Sequence, residues 1–207
     1  TPEALEFVMR RAKEDSLVHV LPIAALTKGR AGREMSEIGF LLDAGAVGFS
    51  DCDAVVTNTK VFPRALTYAQ SLGALIIAHP QEPTLSAGAC ATSGKFAALR
   101  GLPSVSPMAE RMGLDRDIAL IEMTGARYHA DQITTAHALP ALKRAKSMGL
   151  DVTAGTSIHH ITLNEIDIGD YRTFFKVKPP LRSEDDRLSI IEALRDGTID
   201  VLSSMHT

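Results

Sequence analysis

The sequence predicts an α/β fold in which parallel strands form a sheet and helices cover its outside. Six short, β-rich apolar runs alternate with amphipathic helical stretches along the 207 residues, which is typical of parallel sheets. Polar side chains follow nearly every predicted strand at its carboxyl end, and these ends converge on one mouth in a barrel. No GxGxxG motif of the dinucleotide-binding open sheets follows the first strand. We therefore predict a (β/α)-barrel rather than an open, doubly wound sheet.

Turn and capping residues delimit the elements. The predicted strands are residues 18–26, 46–49, 74–78, 126–130, 150–154 and 199–202. The predicted helices are residues 34–44, 59–72, 106–124 and 135–149, together with a helix that Ser183 caps and Gly197 ends, and a first one that starts at Thr1 and Pro2. Between them, residues 80–105 are polar and rich in glycine, and residues 171–182 are irregular.

Composition excludes several classes of function. The net charge is −3 with both signs interspersed, so nothing predicts a nucleic-acid partner. No apolar run approaches the roughly 20 residues that span a bilayer, so no membrane association is expected. The only cysteines, Cys52 and Cys90, are far apart, which fits a reducing, cytoplasmic compartment. Both ends of the chain resemble cuts inside a larger protein.

Residues that could bind a metal ion lie at or beyond the carboxyl ends of three of the predicted strands. His79 follows the third strand, Asp51-Cys52-Asp53 follow the second, and His129 lies at the end of the fourth. Neutral imidazole, thiolate and carboxylate groups are all ligands of zinc. Each also has a structural interpretation, as a hydrogen-bonded histidine or a turn aspartate. The pair His159-His160 is a weak signal, from which one ring could reach the mouth.

Two further segments could hold an anionic substrate or a proton acceptor. Lys176, Lys178 and Arg182 surround a Pro-Pro pair, and Arg pairs with carboxylates in a fork. A rigid loop with solvated basic side chains is the equal alternative. The last strand leads to Met205-His206, without the Asp that metal-dependent barrels place there as a general base. Asp200 begins that strand, at the wrong end of the barrel.

Six segments taken together resemble the class I dihydroorotases of the amidohydrolase superfamily. GAVGFSD at residues 45–51 resembles GAVAFSDDG, and AHPQEP at 78–83 contains a counterpart of HCEDP. GLPSV at 101–105, with AE and RDI after it, is similar to GLPGIP…AE…RDI. TGARYH at 124–129, KVKPPLR at 176–182 and DGTID at 196–200 resemble TGARVH, KxNPPLR and DGTID. Their order and spacing hold from about residue 18 to residue 206.

The resemblance implies a (β/α)8 TIM-type barrel of the metal-dependent amidohydrolase kind, here a partial barrel with strands three to eight. Residues 1–207 would then be a single partial barrel domain. Strands one and two, with their HxH zinc motif, and the family's β-sandwich lie outside this chain. The activity implied is the zinc-dependent interconversion of N-carbamoyl-aspartate and dihydroorotate in pyrimidine biosynthesis. Zinc lowers the pKa of the attacking water, and an Asp accepts and returns its proton.

Carrying the family's site over position by position gives an incomplete set. His79 matches a zinc-ligand histidine and Asp51 the first Asp of SDDG, while Cys52 and His129 are weaker metal candidates. The bridging carboxylate falls on Cys52, the ligand histidine of HVST on Gln132, and the catalytic Asp on Met205. Amide and thioether groups cannot replace a carboxylate's charge or basicity. Arg182 matches the Arg of KxNPPLR, Lys178 stands where that motif has its Asn, and His206 follows the lost Asp. These three are the expected substrate-binding residues.

Three interpretations follow. The first is an active dihydroorotase whose site is rebuilt from Cys52, Asp53, His129, Asp131 or His159. The second is a pseudoenzyme, a non-catalytic barrel that serves as a scaffold or regulatory partner of aspartate carbamoyltransferase, or that self-associates. The third is a different, hydantoinase-like cyclic amidohydrolase, ranked last because that family's bridging Lys has no counterpart near Asp51. The chemistry of the substitutions favours the second.

Overall fold

The structure is a computed structural model that describes residues 1–205. These residues form two compact units. The first consists of Thr1–His79 with Leu120–His129, and the second of Pro80–Ala119 with the residues from Ala130 onward. Among the described residues, no helix combines the length and the apolar character that crossing a membrane requires.

Strands and helices alternate through both units. The strands are β1 (Ile23–Ala24), β2 (Gly48–Phe49), β3 (Leu75–Ala78), β4 (Ala91–Thr92), β5 (Ser104–Val105), β6 (Arg127–Ala130), β7 (Val152–Ser157) and β8 (Val201–Ser203). The helices are α1 (Pro2–Asp15), α2 (Ile38–Asp43), α3 (Val61–Ser71), α4 (Pro83–Ser86), α5 (Lys95–Arg100), α6 (Met108–Thr124), α7 (Leu139–Ser147), α8 (Ile158–Thr162) and α9 (Glu184–Arg195). Short 3-10 turns cover Lys28–Arg30, Ala136–Ala138, Glu165–Ile168 and Thr173–Phe175. In the first unit the strand order is β1-β2-β3-β6; in the second, β7 pairs with β8, and β4 pairs with β5 separately.

The first unit is built on parallel pairing of β1, β2 and β3. Ile23 pairs with Gly48, and Phe49 pairs with both Ala24 and Ile76. Phe49 and Ile76 are completely buried. Helix α3 buries Phe62, Ala65, Leu66 and Ala69, which recur at helical spacing and form one apolar stripe. The carboxyl ends of β2 and β3 therefore lead into the segments that carry Asp51 and His79.

The second unit is built on β7 and β8, which run parallel in a register of three residue pairs from Gly155–Val201 to Ser157–Ser203. Helix α9 begins where predicted, because the Ser183 hydroxyl accepts a hydrogen bond from the Asp186 backbone N–H at 3.2 Å. Asp200 has a structural role before β8. Its carboxylate accepts from the Ala154 N–H at 2.8 Å and pairs with Lys146 at 2.8 Å.

The predicted partial barrel of parallel strands and helices is confirmed, with local corrections. The predicted strand at residues 18–26 shortens to two residues, because only Ile23 and Ala24 find a partner strand. The predicted strand at 150–154 is displaced and extends to Ser157. The polar segment 80–105 contains four short elements, α4, β4, α5 and β5, that the sequence pattern did not predict. Helix α8 was likewise not predicted.

Candidate functional site

Asp51 lies two residues beyond β2, and its carboxylate accepts hydrogen bonds from the loop after β1. Oδ1 accepts from the Thr27 backbone N–H at 2.9 Å, and Oδ2 accepts a short hydrogen bond from the Thr27 hydroxyl. Arg30 Nε donates to the Asp51 backbone oxygen at 3.1 Å. Asp51 is buried, with 4% of its surface exposed. Both of its side-chain oxygens therefore already serve as acceptors within the first unit.

The other metal candidates belong to the same unit but differ in their surroundings. His79 directly follows β3 and is buried, and His129 is a half-buried residue within β6. Cys52 is exposed and has a backbone φ of 56°, in the left-handed region that few non-glycine residues adopt. Asp53 pairs with Arg30 at 2.6 Å on the surface. Within residues 1–205, no group of three or more His, Cys, Asp or Glu side chains could hold a metal ion together.

Gln132 and Met205 occupy the positions that the resemblance gives to a zinc-ligand histidine and the catalytic Asp. The second unit brings the two together: the Gln132 amide nitrogen lies 3.0 Å from the Met205 sulfur. The same nitrogen is 3.2 Å from Asp131 Oδ1 and 3.5 Å from Ser203 Oγ. Gln132 is buried, and both Gln132 and Met205 have positive φ, 59° and 52°. An amide–thioether contact thus joins the two positions that the resemblance gives to an imidazole and a carboxylate.

The side chains at these positions do not fit the zinc site that the resemblance implies. Structural and catalytic zinc sites use thiolate, imidazole or carboxylate ligands. A carboxamide nitrogen is a hydrogen-bond donor and a thioether is only a weak acceptor. Asp51 uses both its oxygens on Thr27. These residues therefore do not supply the ligand chemistry of a zinc hydrolase.

Arg182, an expected substrate-binding residue, is 2% exposed and forms an ion pair with the buried Glu110, Nη2 to Oε2, at 3.3 Å. Burial lowers the pKa of Arg182, and the charges of Glu110 and Asp186 act in the opposite direction. Lys178, the second substrate candidate, is exposed and precedes a cis peptide bond to Pro179. His206, the third, lies outside the described residues. The structure thus describes two of the three predicted substrate contacts, and their role stays a prediction.

His160 is the member of the His159-His160 pair that is buried and bonded. Its Nδ1 lies 2.8 Å from Ser157 Oγ and its Nε2 lies 3.1 Å from the Pro179 carbonyl oxygen. Burial, followed by the positive charge of Arg182, lowers the pKa of His160 from 6.5 to about 4. The ring is therefore neutral at pH 7. Because a carbonyl only accepts, Nε2 carries the proton and Nδ1 accepts from Ser157.

Glu110 is a buried residue to which sequence reasoning assigned no role. It is completely buried in the first turn of α6. A signal was available, because Glu110 shares a helical stripe with Leu114, Ile118 and Ile121, all of which are buried. A carboxylate within an apolar stripe needs a cation and hydrogen-bond donors. Arg182 and two threonines supply them.

Comparison with known proteins places this geometry in a family. The profile of the family described as Dihydro-orotase-like matches residues 1–138, two thirds of the chain. The chain belongs to the dihydroorotase-like family. Two curated relatives named dihydroorotase are 40% identical over 201 residues, in Syntrophus aciditrophicus, and 41% identical over 189 residues, in Pelotomaculum thermopropionicum. The matches cover 97% and 91% of this chain but 47% and 44% of those relatives.

Solved structures show the same fold at lower identity. The L-hydantoinase from Arthrobacter aurescens superposes with a TM-score of 0.83 at 23% identity, over 100% of this chain and 47% of its own. A dihydroorotase from Saccharomyces cerevisiae, in complex with 5-fluoroorotic acid, gives 0.70 at 14% identity, over 95% of this chain and 55% of its own. This member of the dihydroorotase-like family therefore spans about half the length of the proteins it matches. It has the partial barrel of the amidohydrolase fold.

Proposed function

We propose that this chain is the barrel portion of a dihydroorotase-family protein of pyrimidine biosynthesis that does not catalyse zinc-dependent ring hydrolysis. Its role is that of a non-catalytic structural or regulatory partner of aspartate carbamoyltransferase. The single observation that carries the proposal is the 3.0 Å contact between the Gln132 amide and the Met205 sulfur. It joins the two positions where the family resemblance requires a ligand and a base.

The physical reason is the loss of both charge and basicity at these two positions. A general base must accept a proton from the attacking water within hydrogen-bond reach. A thioether has no useful basicity, and an amide neither holds a negative charge nor takes up a proton near neutral pH. The cytoplasmic location expected from the sequence belongs to the same proposal. It is supported by Cys52 and Cys90, both of which are free thiols.

The active alternative, a dihydroorotase with a rebuilt site, needs new ligands from residues such as Cys52, His129 or Asp131. The described residues give it no cluster of three metal-binding side chains. Asp131 instead accepts from the Gln132 amide at 3.2 Å. The hydantoinase-like alternative has the fold likeness to the Arthrobacter enzyme but no bridging Lys near Asp51. We retain the non-catalytic interpretation.

Turnover is tested by measuring dihydroorotate hydrolysis and N-carbamoyl-aspartate cyclisation with the full-length protein, supplied with zinc and compared with an active dihydroorotase under the same conditions. We expect no turnover above the rate in buffer. The matched variant is the double substitution Gln132→His with Met205→Asp, which restores the family's chemical groups at these two positions. Turnover by the unaltered protein would contradict the proposal, whatever the double variant does.

The partner is tested by mixing the protein with the catalytic chain of aspartate carbamoyltransferase from the same organism and measuring the mass of the assembly by light scattering. We expect one defined complex, formed equally well by the protein and by its Gln132→His, Met205→Asp variant. Separate elution of the two proteins at micromolar concentration would contradict the scaffold role and leave the non-catalytic role standing.

A further inference from the structure

A buried cluster around Glu110 holds the loop that follows Gln132. Glu110 Oε1 accepts from the backbone N–H groups of Thr134 and Thr135, each at 2.9 Å, and from the Thr135 hydroxyl at 3.0 Å. Oε2 accepts from the Thr134 hydroxyl at 2.5 Å. One carboxylate in α6 thus binds four donors of two consecutive residues. Hydrogen bonds to a charged acceptor are roughly twice as strong as neutral ones.

Arg182 completes the cluster and uses all three guanidinium nitrogens within it. Nη2 lies 3.3 Å from Glu110, Nε donates to the Thr134 hydroxyl at 2.9 Å, and Nη1 donates to the Thr92 hydroxyl at 3.2 Å. Thr92 in turn donates to the Leu181 carbonyl at 2.9 Å. With 2% of its surface exposed, Arg182 is enclosed by these protein partners. A buried guanidinium whose three nitrogens contact the protein is poorly placed to bind a dissolved carboxylate.

The cluster restrains the backbone next to Gln132, which lies two residues before Thr134. Ile133, between Gln132 and the clamped threonines, donates its N–H to the Gly155 carbonyl at 2.8 Å. Gln132 is thus followed directly by a run of three hydrogen-bonded residues, Ile133 to Thr135. Its positive φ of 59° is a conformation that an unrestrained glutamine rarely adopts. Fixing the backbone here determines where the Gln132 amide meets Met205.

We propose that Glu110 is a positioning residue, which acts through Thr134 and Thr135 on Gln132, and that Arg182 is its counter-ion rather than a substrate-binding residue. The inference rests on the proposed function in one respect, that the site at Gln132 is a non-catalytic remnant of the family's centre. This role explains why the family's motifs are kept at Glu110 and Arg182. Glu110 and Arg182 match the family's AE and PPLR segments although the ligand and base positions do not, because these two residues support the backbone.

The test compares Glu110→Gln with the unaltered protein by nuclear magnetic resonance. We expect the Thr134 and Thr135 amide protons to exchange roughly tenfold to a hundredfold faster, since each loses a charged acceptor. The Met205 methyl resonance should shift, because the Gln132 amide no longer has a fixed position. Thr134→Ser keeps the hydroxyl and should preserve both signals. Leu142→Ala, which destabilises the same unit at a buried site of α7, controls for global opening and should leave the Met205 resonance in place.

Several results of these and further measurements would contradict the inference. Unchanged loop exchange and an unchanged Met205 resonance in Glu110→Gln would overturn the positioning role. If that variant does not fold, the same measurements on Arg182→Lys test the positioning role, since Arg182→Lys keeps the charge but loses the bonds to Thr92 and Thr134. Titration with N-carbamoyl-aspartate should leave the Arg182 Nε–H resonance unmoved, and a saturable shift would overturn the counter-ion role. None of these readouts requires metal or turnover, so catalytic activity would refute the proposed function alone.

Discussion

Acidification should destabilise the protein through His160, whose buried ring is bonded on both sides. Its Nδ1 accepts from Ser157 and its Nε2 donates to the Pro179 carbonyl, and 4% of the residue is exposed. Burial and the charge of Arg182 lower its pKa from 6.5 to about 4. Protonation would place a charge in a buried position and leave Nδ1–H facing a hydroxyl that now has to reorient. The folded state therefore resists the proton that the unfolded chain accepts.

The sign and size follow from proton linkage. Between pH 6.5 and about 4 the unfolded chain binds more protons at this residue than the folded chain does, so stability falls as the pH falls. The stabilisation is fully present above pH 6.5. At ~1.36 kcal/mol for each pH unit, the contribution of His160 lost across that window is about 3 kcal/mol, with roughly 2 kcal/mol lost by pH 5.

The assay is urea unfolding at several pH values between 7.5 and 4.5, with the His160→Gln variant as the matched control. The variant should be less stable at pH 7, and the difference in unfolding free energy between the two proteins should shrink towards acid pH. Subtracting the two curves removes the contribution of carboxylates that titrate in both. A difference that stays constant over this range would refute the assignment of a neutral, buried ring.

Three substitutions test other contacts by the same unfolding assay. Gly113→Ala should cost about 2 kcal/mol, because the added Cβ would overlap the backbone nitrogen of Gln81. This overpacking outweighs the gain in helix propensity of about 1 kcal/mol, and a more stable variant would contradict the prediction. Asp51→Ala should cost about 2–4 kcal/mol, because it removes two hydrogen bonds to Thr27. Asp53→Ala breaks an exposed ion pair and should cost under ~1 kcal/mol. Equal losses in the two variants would be inconsistent with the buried role of Asp51. Ser183→Ala should cost about 1 kcal/mol by removing the cap of α9, and Ser183→Asp should restore it.

Regular elements were predictable where their signals are local. Glycines at the helix ends, the apolar stripe of α3 and the Ser183 cap all act within one or two turns of chain. The pair β4 and β5 was not predictable in the same way. Each strand has two residues, and their pairing joins Ala91 to Ser104 through contacts that no sequence period reports. Short strands formed by non-local hydrogen bonds carry too little pattern to recognise.

The candidate site was likewise predictable from the sequence only in part. Comparison of the residues with the family's motifs predicted that Gln132 and Met205 replace a ligand and a base. Their 3.0 Å contact depends on two backbone conformations with positive φ, and neither residue type indicates such a conformation. The resemblance also assigned Arg182 to substrate binding, from its place in the PPLR motif and its charge. Only the packing of the second unit shows the buried carboxylate, Glu110, that accompanies it.

The metal content of the purified full-length protein tests the central claim most directly. After growth with added zinc and removal of loosely bound ions, elemental analysis should find well under one zinc per chain, and no hydrolysis of dihydroorotate should accompany it. The variant His79→Ala should then match the unaltered protein in both measurements. Two zinc ions per chain, together with turnover that His79→Ala abolishes, would contradict the account.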